Sequence, residues 1–212
     1  VLGAPLMVNP ANHMAPPTLG TICLPDFEVG NVVAADCDEF GNNLGIVTIG
    51  STTQTAAVRV GTQEGSTTAV GYGLVLNASN STAAADTQLG FHSDGSGNVT
   101  GDINVFAKQG HVTLNSGSQQ DSYTQIGHGG TGASADLITA TADIDIVFCE
   151  VGDVILNGST ALQTYAQIGH GHTNVAAQTN GDITITDFRH IDMNSGTGDT
   201  AFTQIGHGLS LI

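Results

Sequence analysis

The sequence predicts an all-β protein, a β-solenoid of stacked β-arches in which about five repeats of roughly 40 residues form extended parallel sheets. Three observations support this prediction. A heptapeptide recurs three times almost unchanged, short segments between its copies alternate apolar and polar residues, and no stretch has the 3.6-residue period of a helix of three turns. Because such a repeat cannot bury its own apolar face, its copies must stack on one another.

The recurring heptapeptide reads aromatic-x-Gln-Ile-Gly-His-Gly. Its full copies are residues 123–129, 165–171 and 202–208. Residues 87–91 and 47–51 are weaker copies, so successive copies lie roughly 40 residues apart. This spacing divides the chain after its N-terminal end into five units, 21–53, 54–93, 94–135, 136–175 and 176–212.

The N-terminal end has a different composition. All five prolines lie there, with Pro25 the last of them. Proline removes a backbone donor, so residues 1–20 are expected to run as an irregular arm. This proline-rich arm is either a loose terminus or a segment that reaches a neighbouring subunit.

Each unit offers three short strand candidates. In the last three units the first candidate has the pattern Gly/Ala-Asp-Ile-x-Val/Ile and the second ends in asparagine. The third is the heptapeptide, whose glutamine lies ten residues after that asparagine. The second unit fills the first two places with residues 57–60 and 74–77. The first unit is the most degenerate, with candidates at 21–24, 31–34 and 46–50.

Stacking predicts ladders of like residues about 4.8 Å apart. The apolar residues of all three strands are expected in the core, and they include Ile103, Val105, Val112, Leu114, Ile126, Ile146, Leu156, Ile168, Ile183, Ile185, Met193 and Ile205. The predicted structural ladders are Gln88, Gln125, Gln167 and Gln204; Asn77, Asn115, Asn157 and Asn194; and His128, His170 and His207.

The charge balance excludes several partners. The 212 residues carry 19 acidic and only three basic side chains, a formal charge of −16. Nucleic acids and anionic membrane surfaces both require clustered cations, so neither is an expected partner. No apolar run approaches the roughly 20 residues that a membrane-spanning helix needs, so membrane insertion is not expected either.

Two groups of residues invite a metal hypothesis. The three histidines, with His172 beside them, could form a metal ladder, but in-register residues of a repeat are usually architectural, which is the interpretation that we prefer. The segment Asp94-Gly-Ser-Gly-Asn98-Val-Thr-Gly-Asp102 has oxygen-bearing side chains at alternate positions, as calcium loops do, and Asp94, Asn98 and Asp102 are its candidate ligands. The glutamate that closes such loops is absent, so an ordinary acidic turn is preferred and calcium remains the alternative.

Catalysis finds little support. Asp143 with Asp145, or Asp187 with Asp192, could form a carboxylate pair of the kind that cleaves polysaccharides, and Arg189 lies between the second two. No nucleophile elbow or phosphate-binding loop is present. We therefore expect no enzymatic activity.

Asp102, Asp143 and Asp182 occupy equivalent places in successive units, where stacking would bring like charges together.

The three cysteines allow more than one pairing. Cys23 and Cys37 fall in the same unit and are the expected disulfide in an oxidising compartment, which leaves Cys149 free or intermolecular. Four N-glycosylation sequons, at Asn77, Asn80, Asn98 and Asn157, fit an exported protein. The expected location is therefore extracellular, at the cell surface.

The succession Gly-Asp-Ile-x-Val, Val-x-Leu-Asn and Tyr-x-Gln-Ile-Gly-His-Gly resembles the repeats of filamentous-haemagglutinin-like exported β-solenoid proteins. The likeness covers residues 85–208 well and 20–84 poorly. It implies a secreted, surface-associated structural or adhesive role without enzymatic activity. More loosely, by size, composition and repeat number, the chain resembles the amyloid-like sheath proteins of filamentous methanogenic archaea, which implies polymerisation.

Two functions follow as expectations. The first is a structural protein that self-assembles end to end through its open solenoid ends into a sheath, fibre or surface layer. The second is a surface adhesin or a ligand-binding passenger. The sequence supports the first because the last repeat is followed by only a few, mostly apolar residues, which cannot cap a solenoid.

Overall fold

A computed structural model describes residues 45–61, 63–81, 85–92, 97–129, 138–171 and 177–208. Within these residues the chain forms β-strands and no helix, which confirms the predicted all-β class. The strands are β1 (Val47–Gly50), β2 (Val58–Val60), β3 (Thr67–Gly71), β4 (Leu74–Asn77), β5 (Thr87–Leu89), β6 (Gly97–Val99), β7 (Ile103–Ala107), β8 (Val112–Asn115), β9 (Thr124–Ile126), β10 (Ile138–Ala140), β11 (Ile144–Asn157), β12 (Tyr165–Ile168), β13 (Ala177–Thr179), β14 (Ile183–Asn194) and β15 (Phe202–Ile205).

The strands belong to three sheets, and every pair that the described residues form is parallel. Sheet A has two columns that the long strands β11 and β14 join: one holds β3 and β7, the other β1, β4 and β8. Sheet B runs in the order β15-β12-β9-β5-β2, and sheet C in the order β13-β10-β6. Parallel pairing of strands roughly 40 residues apart fits the predicted period.

Sheet C is a feature that the sequence did not predict. Its strands β6, β10 and β13 have three residues each and precede the first predicted strand of their units. Three residues are too few to show a period of two, because alternation is recognised over four or more. The repeating element therefore has four strand positions instead of three.

Apolar residues of sheets A and B pack into one core. Their branched side chains are stacked in register: Leu114 lies between Leu76 and Leu156, and Ile126 lies between Leu89 and Ile168. Each of these six side chains is almost wholly buried. The core is thus a set of apolar columns that run perpendicular to the strands, each continued by the next parallel strand.

The structure corrects the interpretation of residues 47–60. The sequence predicts a weak copy of the heptapeptide at residues 47–51, but β1 pairs with β4, so Gly50 lies at the place of Asn77 in the asparagine column. It predicts the first strand of a unit at residues 57–60, but β2 pairs with β5, so Arg59 lies at the place of Gln88. Gly50-Ser51 shares only its glycine with the Gly-His of the heptapeptide, and the register of the backbone pairing assigns Gly50 to the asparagine column.

Burial at the last strands also differs from expectation. Met193, expected in the core, is 45% exposed, and Ile183, Ile185 and Ile205 are only half-buried. Met193 pairs with the fully buried Leu156, so it occupies a core position. Its exposure arises because β14 lies at the end of sheet A and no described strand covers its outer side.

Candidate functional site

The glutamine side chains connect one copy of the heptapeptide to the next. Gln88 Nε2 donates to the carbonyl oxygens of Gly127 and Gly129, both 2.7 Å away in the following copy. The predicted ladder of Gln88, Gln125, Gln167 and Gln204 is paired in register along sheet B. Gln125 and Gln167 donate to the following copy in the same way, so the first three amides satisfy backbone acceptors at the turn that ends the next strand.

The glycine of the heptapeptide is required by this close approach. Gly127 has a φ of 152° and Gly169 a φ of 150°. A Cβ atom at Gly127 would overlap the carbonyl oxygen of Gly169, and one at Gly169 would overlap that of Gly206. The stacked copies thus leave no space for a side chain at this position.

The asparagines form a continuous chain of amide hydrogen bonds. Asn115 Nδ2 donates to Asn77 Oδ1 at 2.9 Å, and Asn157 Nδ2 donates to Asn115 Oδ1 at 2.8 Å. Asn194 Nδ2 donates to Asn157 Oδ1 at 2.9 Å. The chain is directional, so it leaves the Oδ1 of Asn194 facing the outer side of β14.

The histidines form a stacked column with one defined tautomer. The backbone N–H groups of Phe91, His128 and His170 donate to the Nδ1 atoms of His128, His170 and His207 at 2.9, 3.0 and 3.1 Å. The Nε2 atoms of the three rings lie 2.7–2.9 Å from backbone carbonyl oxygens, to which they must donate. A ring that accepts at Nδ1 and donates at Nε2 is neutral.

Burial maintains this neutral form. Removal from water lowers the pKa of His128 from 6.5 to about 4 and that of His170 to about 3. Neighbouring rings stack with centroids 4.9 Å apart, so a charge on one ring would also oppose a charge on the next. Because both nitrogens of each ring are engaged, the column has no lone pair for a metal ion; His172 lies outside the described residues.

Aromatic residues extend the stacking at the start of the heptapeptide. Tyr123 and Tyr165 lie 4.6 Å apart, and Tyr165 and Phe202 lie 5.1 Å apart, in nearly parallel planes. The tyrosines are fully buried, whereas Phe202 is only half-buried.

The calcium candidate is only partly within the described residues, since Asp94 lies outside them. Asn98 is exposed on β6. Asp102 Oδ1 accepts the N–H of Asp143, and Asp143 Oδ1 accepts that of Asp182, so each of these carboxylates binds the backbone of the next copy. In the described part of the chain no three His, Cys, Asp or Glu side chains form a metal-binding group.

The residues considered for catalysis have structural contacts. Arg189 binds neither Asp187 nor Asp192; its Nε and Nη2 atoms donate to the two carboxylate oxygens of Asp153 at 3.0 and 2.6 Å. This bidentate pair lowers the pKa of Asp153. Burial raises the pKa of Asp145, and the nearby ladder carboxylates raise it further.

The first end of sheet B carries an ion pair that the sequence did not indicate. Arg59 Nη2 donates to Asp86 Oδ2 at 2.9 Å, and Asp86 is 2% exposed. Burial raises the pKa of Asp86 to about 6, although Arg59 acts in the opposite direction. Arg59 occupies the place of a ladder glutamine, so the ladder has chemically different ends: a charged pair at β2 and a glutamine at β15.

The cysteine prediction requires a correction. Cys149, interpreted as free or intermolecular, forms a disulfide bond within the chain. It is half-buried on β11. Cys23 and Cys37, the predicted pair, lie outside the described residues. Three cysteines permit three pairings, and sequence proximity alone does not select among them.

The candidate site is the outer face of β14 and β15, called here the open edge. Ile191 and Met193 are 37% and 45% exposed on it. A Cβ atom at Gly206 would meet only the side chain of Gln204 within its own copy, unlike the equivalent glycines. Within the described residues no group accepts a hydrogen bond from the His207 N–H, the donor that would continue the histidine column.

No helix of the described residues is long and apolar enough to cross a membrane. Comparison of the chain with protein-family models, with curated proteins and with solved structures finds no match.

Proposed function

We propose that this chain is an extracellular structural protein that polymerises end to end. It is a five-unit β-solenoid, and the open edge of one copy stacks on the first unit of the next copy, where β1 and the adjoining β2 are the outermost described strands of sheets A and B. The product is a cell-surface polymer: a sheath, a fibre or a surface layer. Such a contact joins two different surfaces, so it propagates into filaments or closes into rings.

The observation that carries the proposal is the contrast between core positions and their equivalents at the open edge. Leu156 is fully buried, whereas its register partner Met193 is 45% exposed. If a second copy covers the partly exposed side chains of this layer, association is stabilised by roughly 25 cal/mol for each Å² of apolar surface removed from water. An uncovered parallel edge also presents backbone donors and acceptors that another chain can pair.

The open edge can pair with another parallel strand. It ends the asparagine, glutamine and histidine columns at Asn194, Gln204 and His207, and successive layers of these columns lie about 4.8 Å apart. A parallel strand of a second copy would extend the sheet through backbone hydrogen bonds, and the first layer of that copy would bring Gly50 and Arg59 to the asparagine and glutamine columns. Gln204 Nε2 donates to the Gly208 carbonyl of its own copy at 2.8 Å, whereas Gln88, Gln125 and Gln167 each donate to a glycine carbonyl of the following copy.

An extracellular location is consistent with the covalent chemistry. The disulfide of Cys149 persists in oxidising compartments and is uncommon in the cytosol. The charge of −16 keeps single copies soluble and apart, so assembly must depend on a specific contact.

Sedimentation velocity and negative-stain microscopy of the full chain test the proposal. Wild type should form concentration-dependent filaments, and Ile205→Lys should leave a folded short species because it puts a charge into the stacking face. Leu162→Lys, at an exposed residue between β11 and β12, is the matched control and should assemble normally. A wild-type chain that stays monomeric at high concentration would contradict the proposal and favour the adhesin or ligand-binding alternative.

A further inference from the structure

A second surface lies where the two columns of sheet A meet. At this corner each successive layer places a large side chain at the surface, and we call the row the corner ridge: Ile46, Tyr72, Lys108, Val151 and Phe188. Ile46 is 56% exposed, Tyr72 39%, Val151 60% and Phe188 43%. These are four of the seven large apolar side chains exposed in the described part of the chain.

Backbone contacts stack the layers of the corner ridge. The Tyr72 carbonyl accepts the N–H groups of Gln109 and Gly110, and the Lys108 carbonyl accepts the N–H of Glu150 at 2.6 Å. The Tyr72 hydroxyl donates to Gln109 Oε1 at 2.9 Å, which holds its ring along the ridge. Five layers at ~4.8 Å give a straight strip about 19 Å long.

The charge of the corner ridge differs from that of the whole chain. Two of the protein's three basic residues, Lys108 and Arg189, lie at this corner, beside Glu150 and Asp153. The third, Arg59, is paired with Asp86. The opposite end of the first column carries the stacked carboxylates of Asp102, Asp143 and Asp182. Two copies that approach each other therefore meet the least repulsion at the corner ridge.

The contact area of the strip is large enough to hold two copies together only when it repeats along a filament. A strip about 19 Å long and about 10 Å wide offers roughly 200 Å² of contact for each copy. A stable interface needs about 800 Å² from each partner, so two isolated copies would not hold together. In a filament the same strip repeats with every subunit, and many weak contacts made together become strong.

We propose that the corner ridge is the lateral contact by which filaments of this chain pack side by side. The partner is a second copy of the chain, because the apolar side chains flank a mixed-charge centre and the remainder of the described surface is predominantly acidic. This inference rests on the proposed end-to-end assembly. It adds a specific second direction of growth, which converts single filaments into ribbons or walls.

Negative-stain microscopy of the full chain tests the contact, with filament length and width measured separately. The double variant Tyr72→Ser/Val151→Ser should give single filaments of wild-type length, whereas wild type should give ribbons two or more filaments wide. Leu162→Ser, which removes an exposed leucine away from the ridge, is the control and should give wild-type ribbons. Added salt should widen the wild-type ribbons, because it screens the residual repulsion between acidic copies.

The possible outcomes separate the two proposals. Wild-type and double-variant filaments of equal width would overturn the lateral contact and leave end-to-end assembly standing. Wild-type filaments that remain single at every salt concentration would do the same. A wild-type chain that forms no filaments would overturn both. Circular dichroism of the double variant before assembly verifies that it is folded.

Discussion

His170 donates its backbone N–H to the Nδ1 atom of His207 at 3.1 Å, and the two imidazole rings stack with centroids 4.9 Å apart. This contact links two copies of the heptapeptide that are 37 residues apart. Because a backbone N–H can only donate, Nδ1 must be unprotonated. The column is therefore stable only with neutral rings.

We predict that acid destabilises the fold through this column. The pKa values of His128 and His170 fall from 6.5 to about 4 and about 3 in the native state. Between those values and 6.5 the unfolded chain binds protons that the native chain does not, so stability falls as the pH falls through this window. Each histidine should remove about 1.4 kcal/mol for each pH unit while its native form stays neutral.

Asp86 acts in the opposite direction. Its pKa is raised to about 6, so between that value and 3.8 the native state binds the extra proton and stability rises as the pH falls. The raised pKa of Asp145 acts in the same direction as that of Asp86, and the lowered pKa of Asp153 acts with the histidines, so the two buried histidines leave a net acid destabilisation. Urea unfolding at pH 7 and pH 5 measures it, and in His170→Phe the dependence on pH should weaken. An unchanged dependence in this variant would mean that the column does not titrate as described.

Substitution of two equivalent glycines separates the interior from the open edge. In Gly169→Ala the new methyl group overlaps the Gly206 carbonyl, so we expect a loss of several kcal/mol in the free energy of unfolding. In Gly206→Ala the outer side is open, and the cost is only that of the similar φ of 149°, about 1–3 kcal/mol. Urea titration under non-assembling conditions should show the larger loss for Gly169→Ala.

Gly206→Ala should also prevent end-to-end growth, because its methyl group takes the place of the carbonyl of the next copy. Light scattering of the folded variant measures this effect. Filaments that form as readily as those of wild type would show that the Gly206 position is not at the junction.

The asparagines of the ladder should contribute unequally to the stability of the fold, with inner positions contributing more than the last one. Asn157→Ala removes two hydrogen bonds and leaves Asn115 and Asn194 without one partner each, so we expect a loss of about 1–3 kcal/mol. Asn194→Ala removes one bond at an exposed position and should cost less. Thermal unfolding of the two variants compares them, and equal losses would contradict a directional ladder.

Reduction should weaken the fold. The disulfide of Cys149 closes a loop in the unfolded chain, and its loss typically costs 2–4 kcal/mol. Denatured, unreduced protein should contain a single free thiol, and mass mapping should show that it is not Cys149. Alkylation of Cys149 without prior reduction would contradict the bond.

Most of the last three copies of the repeat could be predicted from the sequence. The asparagine and glutamine of each copy are ten residues apart, and that spacing fixes the relative position of two columns that the structure pairs in register. Identity between copies is informative here because parallel strands place equivalent residues directly beside one another.

The first copies were harder to predict because composition and spacing disagreed. Gly50-Ser51 looks like the end of a heptapeptide, yet Gly50 lies at the asparagine position, and Arg59 follows it at about the spacing that separates Asn77 from Gln88. Spacing was the better signal. The corner ridge could not be predicted, since Tyr72 and Val151 align only after the lengths of the turns between strands are known.

The axial repeat of the proposed polymer tests end-to-end assembly most directly. Electron microscopy or fibre diffraction should give a spacing of ~4.8 Å along the filament axis and a rise of about 24 Å for each subunit, because each copy contributes five layers. A polymer without the 4.8 Å spacing along its axis, or with a rise unrelated to five layers, would contradict stacking through the open edge.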